Sequence, residues 1–134
     1  MISADDNQIP SMDQWISEAK ADTDADKVGM YLFHNGIVRS TAKSKVRYND
    51  HNVGPVVGML FSYDSEKVAA AVRATEKMDG IHFVRAWLNS GILTVGDSIM
   101  YVLVGGDIKP HVVDALQYLV EKLKTECVSE KELY

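Results

Sequence analysis

An α+β fold, with helices packed on a mainly antiparallel sheet, is what this sequence predicts. Three observations carry that expectation. Apolar residues recur at helical spacing in three separate stretches. The β-prone runs between them are separated by turn formers such as NSG and GD rather than by helix-length crossovers. The resulting order, α-β-β-α-β-β-β-α, is not the regular alternation of a parallel α/β protein. A length of 134 residues suits one domain around one core. We divide it into an N-terminal helix and connector (1–26), a core (27–124) and a C-terminal tail (125–134).

Each element has a local reason. Ser11 is an N-cap residue, and Met12, Trp15, Ile16 and Ala19 follow at helical spacing, so a short amphipathic helix comes first. The polar ADTDADK is a connector. VGMYLFHNGIVR is a strand in which Gly36 marks a bulge or a close approach of another chain segment. Residues 40–54 are polar, basic in their first half and rich in turn formers towards their end, which predicts a mobile loop.

PVVGMLFSY is a second strand, with Pro55 at its start where proline is tolerated. Asp64 or Ser65 then caps a helix reaching about Met78, with Val68, Ala71, Val72 and Met78 inward. GIHFVRAWLNSG and ILTVGDSIMYVLVGG alternate around their turns and predict antiparallel hairpins. Pro110 suits the first turn of a last helix, with Asp107 or Lys109 near its cap. Val112, Val113, Leu116, Leu119, Val120 and Leu123 form its apolar stripe.

Composition narrows the function classes. A net charge of −5 argues against broad nucleic-acid binding, which needs a basic face. No apolar run approaches the roughly 20 residues of a membrane span. MISADDNQIP lacks the basic and apolar regions of a secretory signal. A single cysteine, Cys127, forms no internal disulfide and fits a reducing cytoplasm; its ordinary role is a small filler. His34, His51, His82 and His111 are scattered without metal-ligand spacing, so no metal and no cofactor are expected.

The cations carry the remaining signal. Arg39 ends a strand before a loop, and its planar fork suits phosphate or carboxylate, although a solvated arginine is the commoner role. Lys43, Lys45 and Arg47 alternate in that loop, either solvated or as a cationic lip. Lys109 and His111 flank Pro110 at a helix N-terminus, where a lysine opposes the dipole and gains from a bound anion. Lys124 and Lys131 lie where the last helix runs out into the tail. Their plain roles are dipole compensation and a loose tail residue.

Phe33-x-x-Gly36-x-Val38-Arg39, Gly91-Ile92-Leu93-x-Val95-Gly96-Asp97, and Leu123-Lys124-Thr125 with Lys131-Glu132 beyond follow in an order and spacing that resemble the large, catalytic subunit of molybdopterin synthase. The covered stretch is roughly residues 28–132. That resemblance implies an α/β hammerhead-like fold, and a homodimer within a heterotetramer whose partner is a small ubiquitin-like sulfur-carrier subunit ending in Gly-Gly. It implies that the partner's C-terminal thiocarboxylate delivers sulfur to cyclic pyranopterin monophosphate. Lys124 and Lys131 then stand at the family's catalytic lysines, while Arg39, Lys109 and His111 are the substrate-binding candidates, with the tail contributing to the site. Ile108-Lys109 and Leu88-Asn89 occupy positions where the family pattern has His-Arg. A sulfurtransferase of molybdenum-cofactor synthesis is the leading expectation. The alternatives are a non-catalytic module or diverged paralogue that docks the carrier protein, and a dimeric structural protein.

Overall fold

The computed structural model describes residues 8–43, 46 and 54–134. Lys45, Arg47, His51 and most of the expected mobile loop lie outside the described residues. The centre of the fold is β5 (Ser98–Gly106), which pairs antiparallel with β1 (Met30–Ile37) on one side and β3 (Ile81–Leu88) on the other. Its residues from Met100 onward are all buried. The continuous apolar run MYVLV is what a strand covered on both faces requires.

The two faces of β5 meet different layers. Met100, Val102 and Val104 face the last helix, α3 (Lys109–Lys122), and pack with its Val112, Ala115 and Leu119 and with Ala71 of α2 (Ser65–Glu76). Tyr101 and Leu103 face Trp15 and Ala19 of α1 (Met12–Lys20). Trp15, Phe33 and Trp87 surround Tyr101 edge-on, with ring centroids 5.3–6.1 Å away. Arg85 closes this layer by pairing with Glu18 and lying 5.6 Å over the Trp15 ring. Two helix starts follow the expected chemistry, while α3 starts after Ile108 with no side-chain cap. The Ser11 hydroxyl accepts the Gln14 N–H, and the Asp64 carboxylate accepts the N–H groups of Glu66 and Lys67.

A second antiparallel sheet has the order β4 (Gly91–Thr94), β2 (Gly58–Tyr63), β6 (Val128–Leu133). Together the two sheets and three helices make the expected α+β fold. Two details differ from expectation. Among the described residues all paired strands are antiparallel, but none is a hairpin partner of its sequence neighbour. Asn89 shows why: its N–H donates to Ile99 O and its side-chain amide to Ser98 O, tying off the β3–β5 ladder. The chain then leaves that sheet, and β4 buries Leu93 by joining β2.

The tail, moreover, is not loose. Residues 128–133 form β6 along the open edge of β2. VSEKEL has little apolar alternation, so main-chain pairing makes it a strand, and that partner is far away in sequence. The Gly36 signal does hold, since the register between β1 and β5 shifts between Gly36 and Ile37.

Phe61 is 1% exposed and joins the second sheet to the main core. Phe61→Ala is expected to cost about 3–5 kcal/mol of unfolding free energy in a urea titration. A cost under about 1 kcal/mol would contradict this packing.

Candidate functional site

A cleft of about 340 Å³ opens where the end of β1, the end of α3 and the strands β2 and β6 converge. Arg39, Lys43 and Lys124 supply its cations, Glu130 and Glu132 its carboxylates, and Ile37, Met59 and Met100 its apolar floor. Arg39 comes from just past β1, where its Nε donates to Thr41 O at 3.1 Å and leaves the rest of the fork available. Lys124 comes from the opposite direction. Past Lys122 the last helix widens into a π turn over Leu123–Cys127, anchored by buried Leu123 and Cys127, and Lys124 projects exposed between them. Such wide turns re-aim side chains and recur at functional sites.

The loop after β1 is tied down by β6. The Lys43 N–H donates to a Glu132 carboxylate oxygen at 2.8 Å, and the Lys43 ammonium lies 3.7 Å from Glu130. Met59 and Met100 keep one wall apolar. The arrangement can hold an anionic group between Arg39 and Lys124 through charge-assisted bonds, against opposition from the two carboxylates.

The other expected site residues lie elsewhere. Lys131 is exposed opposite Leu60, on the face of β6 that Glu130 and Glu132 do not share. Lys109 and His111 are at the start of α3. At a rise of about 1.5 Å per residue that is roughly 20 Å along the helix from Lys124. There His111 Nδ1 is 2.8 Å from an Asp107 carboxylate oxygen, which also accepts the Ile108 N–H, and the bond to His111 is the main cause holding the Asp107 carboxyl below its usual range. Gly80, at φ +76°, makes room for this pair, because a side chain there would sit 2.2 Å from the carboxylate. Cys127 is buried, and burial pushes its thiol pKa up, so it is a filler and a poor nucleophile.

Sequence reasoning missed Glu130, Glu132 and His34. Read as a strand, the alternation Glu130-Lys131-Glu132 would have separated the lysine from the two carboxylates. His34 gave no signal as an isolated histidine. It lies on β1 and lines a groove along α3 together with Lys124, and its Nε2 is enclosed with no hydrogen-bond partner among the described residues. Among the described residues no helix is long and apolar enough to cross a membrane.

The family model described as "MoaE protein" matches residues 10–126. No curated protein sequence gives a significant match. Several solved structures share the fold. A molybdopterin synthase from Staphylococcus aureus superposes with a TM-score of 0.73 at 16% identity, covering 95% of this chain and 87% of that one. A molybdopterin biosynthesis MoaE protein from Burkholderia ambifaria MC40-6 gives 0.70 at 15% identity, covering 95% and 84%. A complex of subunits 1 and 2 of molybdopterin-converting factor from Helicobacter pylori 26695 gives 0.64 at 14% identity, covering 92% and 80%. At these identities the likenesses establish the fold.

Glu130 faces the same cleft as the cations, so removing its charge should favour an anion there. Glu130→Gln is expected to tighten sulfate binding about fivefold, the effect of roughly 1 kcal/mol for a unit charge about 8 Å from a doubly charged anion in a watery site. Isothermal calorimetry at fixed ionic strength measures it, and an unchanged or weaker affinity contradicts the assigned electrostatics.

Proposed function

Because this chain belongs to the MoaE protein family, the large subunits of molybdopterin synthase, we propose that its cleft receives the C-terminal Gly-Gly thiocarboxylate of a small ubiquitin-like sulfur-carrier subunit and transfers its sulfur to cyclic pyranopterin monophosphate. Molybdenum cofactor biosynthesis is the process to which the family assigns the chain. Sulfur transfer, the carrier protein and a cytoplasmic setting are our reading. One observation carries it: Arg39 and Lys124, distant in sequence, converge on a single cleft. The two-subunit complex of the Helicobacter pylori relative supports a small-subunit partner.

In this reading each residue has a distinct task. Arg39 holds the substrate phosphate or the carrier's terminal carboxylate, because its fork makes two parallel bonds to such groups. Once the thiocarboxylate sulfur has bonded to a pterin carbon, displacing an oxygen there, water adds to the acyl carbon of the resulting thioester. The Lys124 ammonium lies against the acyl oxygen and stabilises the negative charge built by that addition. The acyl–sulfur bond then breaks to leave a carrier carboxylate and pterin-bound sulfur. Met59 and Met100 exclude water from one wall, which strengthens both interactions.

Lys131, Lys109 and His111 do not reach this cleft within one chain. Their substrate-binding or proton-transfer roles require a second copy or the small subunit to complete the site around them, consistent with a homodimer inside a heterotetramer. A second reading is favoured by Ile108-Lys109 and Leu88-Asn89, which stand where the family pattern has His-Arg. In it the chain docks the carrier tail without turnover.

Purified chain supplied with thiocarboxylated small subunit and cyclic pyranopterin monophosphate tests both readings. Product is expected, with Lys124→Ala lowering its rate about 100-fold while small-subunit binding is kept. Arg39→Ala is expected to raise KM more than it lowers kcat. Binding without product supports docking alone, and a Lys124→Ala variant equal to wild type removes Lys124 from the chemistry.

A further inference from the structure

His34 stands at the junction of two depressions. Its side chain shares a face of β1 with Gly36 and lines the groove along α3 with Val120, Glu121 and Lys124. Lys124 is the wall common to that groove and to the cleft that holds Arg39, which Gly36 also lines. The imidazole Nε2 is shut off from solvent and has no partner among the described residues, an arrangement that costs free energy while it lasts. A side-chain carbon at Gly36 would be 3.6 Å from that nitrogen. The same point lies 3.4 Å from Met100 Cγ, so the imidazole edge stands directly behind Gly36 and Met100, two residues that line the cleft.

Among the described residues the charged groups facing His34 are few. Lys124 and Glu121 approach from the end of α3. Its partner across the sheet is the apolar Val102. Arg39, Lys43, Glu130 and Glu132 lie in the neighbouring cleft. Burial first, and the charge of Lys124 second, hold the imidazole pKa below its usual 6.5. With the cleft empty the ring is therefore neutral at pH 7.

We propose that His34 is a proton-linked cation of this site: an anion seated between Arg39 and Lys124 draws a proton onto His34 and accepts a hydrogen bond from it. The proposal rests on the cleft taking a carboxylate or phosphate and deepens that reading. A bound anion offsets the field of Lys124 and offers the unpartnered nitrogen an acceptor, and both effects favour imidazolium. Linkage sets the sign. The free protein has the lower imidazole pKa and the complex the higher one, so binding takes up a proton. Between those two values affinity rises as pH falls, by at most about tenfold per pH unit, and it is flat outside them. His34 thus binds the anion directly and adds a second cation beside Lys124 only while the anion is there.

Calorimetry of the full chain tests this from about pH 8 to about pH 6, where an imidazole titrates. Two probes with fixed charge in that range, sulfate and an N-acetylated peptide ending in Gly-Gly, separate phosphate-like from carboxylate-like ligands. Buffers of different ionisation heat report the protons taken up. Wild type is expected to take up close to one proton on binding at least one probe, with affinity increasing towards low pH. His34→Phe and His34→Gln, checked for folding by circular dichroism, are expected to bind with pH-independent affinity and no uptake. Proton uptake that persists in both variants, or pH-independent binding by wild type, overturns the role of His34 and leaves the anion cleft intact. Failure of wild type to bind either probe overturns both.

Discussion

Burial of β5 on both faces is the constraint from which the rest of the structure follows. A strand enclosed this way must be apolar along its length and must be covered by two separate layers. The main layer is α3 with α2, and the other is the aromatic group held under α1. Because β5 satisfies its main-chain groups with β1 and β3, both of its edges are taken. The short β4 therefore finds its partner in β2, and the fold acquires a second sheet. The register of β1 on β5 also decides which of its residues look towards the end of α3, and these include His34 and Gly36.

The cleft lies where those two sheets meet the end of α3, and its charges come from elements that share no local sequence. Lys124 would be stabilised at a helix C-terminus with or without a ligand, since the carbonyl end of a helix favours a cation. What the dipole does not account for is the approach of Arg39 from the end of β1 to the same space. The chain as a whole carries a net charge of −5, yet this surface concentrates three cations beside two carboxylates. Overall charge speaks to solubility and to broad partner classes, while the sign of a particular site depends on which side chains the fold gathers.

Much of the fold was legible residue by residue. Ser11 and Asp64 cap the helices as their side chains predict, and Val112, Leu119 and Leu123 are buried as their spacing predicts. These signals are local, being read within one or two turns of chain. Thr75 and Ala115 escaped notice because small or polar residues give weak apolar periodicity, although both are fully buried. The Thr75 hydroxyl meets its hydrogen-bonding need by donating to Ala71 O at 2.8 Å. β6 was illegible for a different reason. Nothing in VSEKEL signals a strand until the open edge of β2 is beside it, so the face on which Lys131 stands was illegible too.

By itself the sequence determined the α+β class, the helix caps, the apolar stripes, and a resemblance that the matching family model bears out over residues 10–126. Short-range periodicity and side-chain chemistry suffice for those. Only the tertiary structure decided which cations meet. The length of α3 holds Lys109 and His111 away from Lys124, and the two-residue alternation of β6 turns Lys131 away while turning Glu130 and Glu132 in. Both follow from the geometry of elements packed across long sequence separations, and no local pattern encodes where two distant side chains will converge.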